Sequence, residues 1–420
     1  MLTGFQLSDG SPRRARNTGI SYLVLPTVLV VLSYIRMNKG ADMFNRLYVH
    51  VPFCVEKCHY CAFVSGTPQE NELIEYPALL MQELQLRSSG GRPVASIYFG
   101  GGTPSLLQPL QLAGLLEGIA AQTGIQPEAE ITLEANPGTV DGNSLKAFRH
   151  VGINRISLGI QSFDDRFLKC LGRIHTVEQS HQAFRDVREA GFKNVSVDLI
   201  HSLPGQSIDQ WKSELQHAIE LCPEHISIYG LTVEEGTPFA RVYPADSLEL
   251  TDDDLSADMF ELADDLLTAS GFEHYEIANY ARTGYRSQHN SGYWRRDGCL
   301  GLGVAAHSFL REGDGVRFSN PDSLETYRRG VTAGHLERVG EFRLSPGDAM
   351  AEYMFLGLRL SEGVSRNAFK HEFGQSLESA YGSVAEELAR FGLLVQNESG
   401  LTLTRRGMLL SNQVFEKFLQ

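Results

Sequence analysis

From Leu47 onward, short runs of β-branched and aliphatic residues alternate with longer stretches whose apolar positions recur every three or four residues. The runs Leu47–Val51, Ser96–Phe99, Glu130–Leu133, Arg155–Ile160, Asn194–Leu199 and His225–Tyr229 predict strands. Between them Glu72–Arg87, Leu110–Gln122, Val177–Ala190 and Ser207–Leu221 predict amphipathic helices. Six β-then-α units imply parallel strands joined by right-handed crossovers. The expected fold is α/β, a partial (β/α)6 TIM-like barrel that stays open rather than closing at eight strands. After about Ala281 the alternation fails, and 282–340 reads as a loop-rich segment. From Glu341 helices, the alternating run Leu401–Thr404 and a last helix predict a small winged-helix-like α+β region over 341–420. The expected core is 43–281.

Composition narrows the picture. Of 420 residues 42% are hydrophobic and 21% charged, ordinary for a globular protein with a core that needs no disulfide staples. A net charge of −14 offers no electrostatic footprint for nucleic acid. Six cysteines are present, three of them (Cys54, Cys58, Cys61) within eight residues, while Cys170, Cys222 and Cys299 are scattered. That distribution points to a metal site in a reducing, cytoplasmic compartment rather than a disulfide framework. An apolar run, Ile20–Ile35, follows Arg13, Arg14 and Arg16. It is short for a membrane span, Pro26 interrupts it and no A-x-A-like cleavage site follows. Residues 1–42 are therefore expected to be a dispensable extension outside the core.

The cysteines stand in His50-Val51-Pro52-Phe53-Cys54-x3-Cys58-x2-Cys61, directly after the first strand. Thiolates at this spacing can wrap one iron–sulfur cubane, leaving one iron without a protein ligand. Two alternatives share the motif: zinc closed by His50 or His59, and thiols that are merely buried. The C-x3-C-x2-C loop after a first barrel strand resembles the radical S-adenosylmethionine superfamily. The resemblance implies a [4Fe–4S] cluster whose open iron is chelated by the amino and carboxyl groups of S-adenosylmethionine. Electron transfer from the cluster then cleaves the sulfonium to a 5′-deoxyadenosyl radical.

Barrel sites draw their residues from the C-terminal ends of several strands. Here the second strand runs into Gly100-Gly101-Gly102-Thr103-Pro104, the third ends in Glu134, the fourth in Gln161, and the fifth carries Asp198; Arg173 follows the fourth. Each alone reads as a turn, a cap or a surface group; four polar residues of the right type at successive strand mouths are harder to dismiss. These positions resemble the oxygen-independent coproporphyrinogen III oxidase family. By that resemblance Tyr48, Tyr60, Gly101, Gly102, Thr103, Glu134, Gln161, Arg173 and Asp198 bind S-adenosylmethionine.

Within that family the oxidases carry Cys-x-Cys at the third cysteine, whereas this chain has Cys61-Ala62-Phe63. The departure resembles the haem chaperone branch, the HemW-like proteins. So does His289-Asn290-Ser291-Gly292-Tyr293-Trp294, an H-N-x-x-Y-W stretch whose His is associated with haem binding there. Imidazole is a common axial ligand to haem iron; His307 is a fallback ligand, and Cys299 is read as packing. The C-terminal stretches Glu352–Arg359 and Leu401–Gly407 resemble the same group. The resemblance spans all but residues 1–42. It implies a carrier that binds haem and passes it to acceptor haemoproteins, membrane-bound respiratory enzymes among them, and is compatible with a homodimer. The competing expectation is radical decarboxylation of coproporphyrinogen III.

Overall fold

The computed structural model describes residues 43–419 except 70, 89–91, 245–246 and 248–249, so the expected extension 1–42 lies outside the described residues. The six expected strands are β1 (Arg46–Val51), β2 (Val94–Gly101), β3 (Ile125–Ala135), β4 (Arg155–Gln161), β5 (Val195–His201) and β6 (His225–Gly230). Each pairs in parallel with the next. Helical crossovers between them start where local chemistry dictates. Thr176 and Gln179 form a reciprocal capping box at the head of the helix Val177–Glu189, and Ser207 and Gln210 do the same for Ile208–Glu220.

Strand alternation sorts the side chains into two populations. Leu47, Val49, Phe99, Ile156, Leu158, Val195, Val197 and Leu199 point outward and are fully buried in the main core beneath the helices. Each such burial contributes about 1.5–3 kcal/mol. The alternate positions carry Arg46, Tyr48 and His50, then Ser96 and Tyr98, Glu130 and Glu134, Arg155 and Ser157, Ser196 and Asp198, and His225 and Ser227. The barrel interior is therefore polar, and its groups must satisfy one another or a ligand.

The sheet does not close. Beyond β6 it continues antiparallel through β8 (Asn279–Ala281) to β7 (Glu273–Glu276). Beyond β1 come β9 (Cys299–Leu302), parallel to β1, and then antiparallel β10 (His307–Leu310), β11 (Val316–Ser319) and β12 (Val339–Arg343). The stretch read as loop-rich thus supplies two helices, Gln288–Trp294 and Leu324–Thr332, and a flank of the sheet. Strands β9, β10 and β11 are four residues each, too short for alternation to show in the sequence.

The C-terminal region is α+β, as expected: β13 (Val364–Ser365), β15 (Gly400–Leu403) and β14 (Leu394–Gln396) form a three-stranded antiparallel sheet with helices packed on it through Phe369, Leu388 and Leu401. It is clamped to the barrel. Glu352 accepts from Arg296 Nε at 3.3 Å and Arg317 Nη2 at 3.0 Å, and the Arg359 guanidinium lies 4.2 Å over the Trp294 ring. No described helix is long and apolar enough to cross a membrane.

Candidate functional site

A cavity of about 520 Å³ opens at the C-terminal mouth of the parallel strands. Its wall contains Cys54, Cys58, Cys61, Tyr60, Gly101, Gly102, Thr103, Glu134, Gln161, Arg173 and Asp198. Residues read from four separate strands, the cysteine loop and the segment that follows the fourth strand therefore converge on one space.

The cysteine loop is held at both ends. The Cys54 N–H donates to the Gly66 carbonyl and the Gly66 N–H to the Pro52 carbonyl, each at 2.9 Å. His50 Nε2 lies 2.9 Å from the Val64 carbonyl, and its Nδ1 lies 3.1 Å from the Tyr48 hydroxyl. A carbonyl only accepts, so Nε2 carries the proton and Nδ1 accepts from Tyr48. Burial keeps this imidazole neutral by lowering its pKa. All three thiols are free of disulfides.

The glycine turn packs against this loop. The Gly102 N–H donates to the Val51 carbonyl at 2.8 Å, and the Thr103 N–H to the Phe53 carbonyl at 2.7 Å. A Cβ on Gly102 would stand 2.6 Å from the Phe53 oxygen, so only glycine permits this approach. Across the cavity Arg173 is half-buried. Its Nη1 donates to Cys58 Sγ at 3.3 Å, and its Nη2 to the Gly159 carbonyl at 2.6 Å and to Asn136 Oδ1.

Of the four carboxyl side chains on the wall, Glu56, Glu134, Asp198 and Glu234, two stand on the barrel strands. Glu134 accepts from the Tyr98 hydroxyl at 2.7 Å and the Gly101 N–H at 3.2 Å; burial raises its pKa to about 7, against the pull of those donors. Asp198 accepts from Ser157 at 3.0 Å and Ser196 at 3.1 Å, and burial raises its pKa too. A cation or a set of hydroxyls arriving in the cavity would relieve that desolvation.

The donor set suits a [4Fe–4S] cluster with S-adenosylmethionine. Three free thiols, the guanidinium groups of Arg155 and Arg173, the carboxyl groups of Glu134 and Asp198 and a backbone cradle without Cβ atoms converge there. The zinc alternative through His50 meets a ring whose two nitrogens are already engaged. Among the described residues no three His, Cys, Asp or Glu side chains are gathered tightly enough for a single metal ion.

Two expected residues stand apart from the cavity wall. Tyr48 lies behind it, bonded to His50 and stacked on Tyr98 with centroids 6.2 Å apart. His289 lies in a helix at the barrel floor and is only 1% exposed. Its Nδ1 pairs with Ser96 Oγ and its Nε2 with the Tyr293 hydroxyl, both at 2.9 Å. Neither ring nitrogen is open to a haem iron in this conformation, and burial with Arg46 and Arg155 nearby keeps the imidazole neutral. His307 is exposed at the start of β10, whereas Cys299 is 1% exposed with its thiol pKa pushed up to about 11 by burial.

Sequence reading missed Tyr98, Asn136, Ser157 and Asn290, all of which line the cavity. For β4 the signal was present: Arg155, Ser157, Gly159 and Gln161 occupy alternate positions on one face.

Comparison with known proteins agrees with this geometry. The radical SAM superfamily matches residues 48–218, and the HemN C-terminal domain matches 344–410. The heme chaperone HemW of Lactococcus lactis is 36% identical over 375 residues, 89% of this chain and 97% of that protein. HemW of Escherichia coli is 36% identical over 379 residues, again 89% and 97%. The mouse mitochondrial radical S-adenosyl methionine domain-containing protein 1 is 36% identical over 381 residues, 88% and 86%. Among solved structures, coproporphyrinogen III oxidase (HemN) from Escherichia coli superposes with a TM-score of 0.78 at 22% identity over 92% of this chain and 93% of that one, which shows a shared fold. By its sequence relatives, its two matched domains and its open parallel barrel, the chain belongs to the HemW family of the radical SAM superfamily.

Proposed function

We propose that the protein is a haem chaperone: it binds haem and delivers it to acceptor haemoproteins, and its cluster and S-adenosylmethionine site serves that transfer. The observation that carries this reading is Phe63. It sits on the cavity wall, two residues beyond Cys61, and is 66% exposed. A large apolar ring at the lip, where the related oxidases carry a second cysteine, suits contact with a flat apolar macrocycle better than chemistry on a propionate. Relatives named for haem chaperoning, 36% identical over most of the chain, support the same choice.

Cys54, Cys58 and Cys61 would hold the cluster, whose chemistry when S-adenosylmethionine is bound is reductive cleavage of the sulfonium. The remaining roles belong to this chain. Arg173 would clamp a carboxylate, Glu134 would accept from an ammonium, and Asp198 would accept from ribose hydroxyls. The glycine cradle Gly101-Gly102 offers backbone without side-chain obstruction, Tyr60 closes the wall beside the thiols, and Thr103 and Gln161 complete the rim.

The test uses anaerobically purified full-length protein. Haem titration is expected to give a saturable absorption change, and incubation with an apo-haemoprotein is expected to move that haem to the acceptor. Formation of protoporphyrinogen from coproporphyrinogen III with S-adenosylmethionine and a reductant would overturn the carrier reading in favour of the oxidase.

A further inference from the structure

The helix Gln288–Trp294 plugs the floor of the barrel directly beneath the cavity. Its first backbone N–H groups lack intrahelical partners, as at any helix start. Glu130 on β3 meets them, Oε2 accepting from the Gln288 N–H and Oε1 from the His289 N–H, each at 3.0 Å. This pins the helix to the inner face of the strand that also carries Glu134.

From that position the helix presents two neighbouring side chains to the site. Asn290 lines the cavity itself. His289 packs against Tyr98 with ring centroids 5.1 Å apart, and its Nδ1 bonds Ser96, two residues before Tyr98 on the same strand face. The Tyr98 hydroxyl in turn donates to Glu134, whose other oxygen takes the Gly101 N–H. One contiguous set of contacts therefore runs from the imidazole to a cavity carboxyl, in a site where small misplacements of binding groups are costly.

We propose that Asn290 hydrogen-bonds the S-adenosylmethionine held in this cavity, and that His289 is a positioning residue that seats Tyr98 and through it Glu134. This rests on the cavity being the S-adenosylmethionine site. It assigns the His-Asn pair of the H-N-x-x-Y-W stretch to that site and not to haem ligation.

The test measures equilibrium S-adenosylmethionine binding and the haem absorption spectrum on full-length, cluster-reconstituted wild type and five variants. Asn290→Ala and His289→Ala are each expected to weaken S-adenosylmethionine about tenfold, the effect of one lost hydrogen bond. His289→Phe keeps a ring against Tyr98 and is expected to stay within about threefold of wild type. Tyr98→Phe combined with His289→Ala is expected to cost less than the two separate losses together, because both act through Glu134. The haem spectrum is expected to be the same in wild type, His289→Ala and His289→Phe. If His289→Ala does not fold, Asn290→Ala, His289→Phe and Tyr98→Phe carry the test. Wild-type S-adenosylmethionine affinity in Asn290→Ala and His289→Ala would overturn the proposal, as would loss of the haem band in both His289 variants. Failure of the wild type itself to bind S-adenosylmethionine would overturn the reading of the cavity instead.

Discussion

Arg173 donates to the Sγ of Cys58 across 3.3 Å while the other arm of its guanidinium holds the Gly159 carbonyl at 2.6 Å. One half-buried cation thereby ties the cysteine loop to the mouth of β4. The arrangement needs a fork, because three acceptors on three different segments are reached at once.

Replacing Arg173 is therefore expected to damage cofactor binding beyond the loss of a charge. Arg173→Ala should weaken S-adenosylmethionine by about 10- to 100-fold, the range of charge-assisted hydrogen bonds. Arg173→Lys should recover little of it, since an ammonium cannot reach Cys58, Asn136 and Gly159 together. Equilibrium binding to the three proteins decides; full affinity in the lysine variant would show that charge alone suffices.

The cysteines make a second prediction. Serine at any one of Cys54, Cys58 or Cys61 is expected to remove most bound iron and sulfide, because each thiolate holds a separate iron of a cubane. Serine at Cys170 or Cys222, which lie on other segments, should leave the content unchanged. Chemical analysis of iron, sulfide and zinc on anaerobically purified protein reads this directly. Zinc in place of iron and sulfide in the wild type would restore the alternative through His59.

Gly101 and Gly114 predict opposite responses to the same substitution. Gly101 has φ +108, and a Cβ there would stand 2.5 Å from the His50 ring, which holds the Val64 end of the cysteine loop. Gly101→Ala is expected to cost about 1–3 kcal/mol through overpacking, and to lower cluster content as the loop loosens. Gly114, inside the helix Pro109–Gln122, has open space around its Cβ position, and Gly114→Ala should gain about 0.5–1 kcal/mol. Urea unfolding of the two variants separates a site requirement from ordinary helix propensity.

Much of this architecture was legible before any coordinates. The six parallel strands announced themselves because each is buried on its helix side by a β-branched or aliphatic run, as in Val195, Val197 and Leu199. The cysteine loop, the glycine turn and the polar strand ends were readable because a parallel barrel brings all strand C-termini to one mouth. What stayed hidden depends on contacts distant in sequence. Strand β9 forms only because Cys299–Leu302 finds β1 some 250 residues earlier, and its four residues carry no period of their own. Tyr48 was expected in the cofactor wall, yet its hydroxyl is taken by His50 two residues on along the same strand face. His289 was expected in a loop; the local cap from Ser287 and the distant one from Glu130 together hold that segment as a buried helix.

The last prediction concerns Glu83, which is completely buried on the helix Glu72–Arg87. Its carboxyl accepts from the Gly303 N–H and the Tyr327 hydroxyl at 2.7 Å each and from Asn320 at 2.6 Å, joining that helix to the residues that follow β9 and β11 and to the helix Leu324–Thr332. Burial raises its pKa from 4.5 to about 7 despite these donors. The folded state therefore binds a proton that the unfolded state has released between those values. The stability contributed is fully present below 4.5 and is lost as pH rises through about 7, with a slope of at most about 1.4 kcal/mol per pH unit. Glu83→Gln cannot ionise, and with one acceptor oxygen against three donors it carries a constant penalty without the slope. The stability difference between wild type and Glu83→Gln, taken from urea midpoints across this window, should shrink steadily as pH rises. Glu134 and Glu214, whose pKa values burial also raises to about 7, titrate in both proteins and cancel in the difference. A difference that does not change with pH would mean that Glu83 is ionised in the folded protein throughout, held by Asn320, Tyr327 and the Gly303 N–H strongly enough to offset its burial.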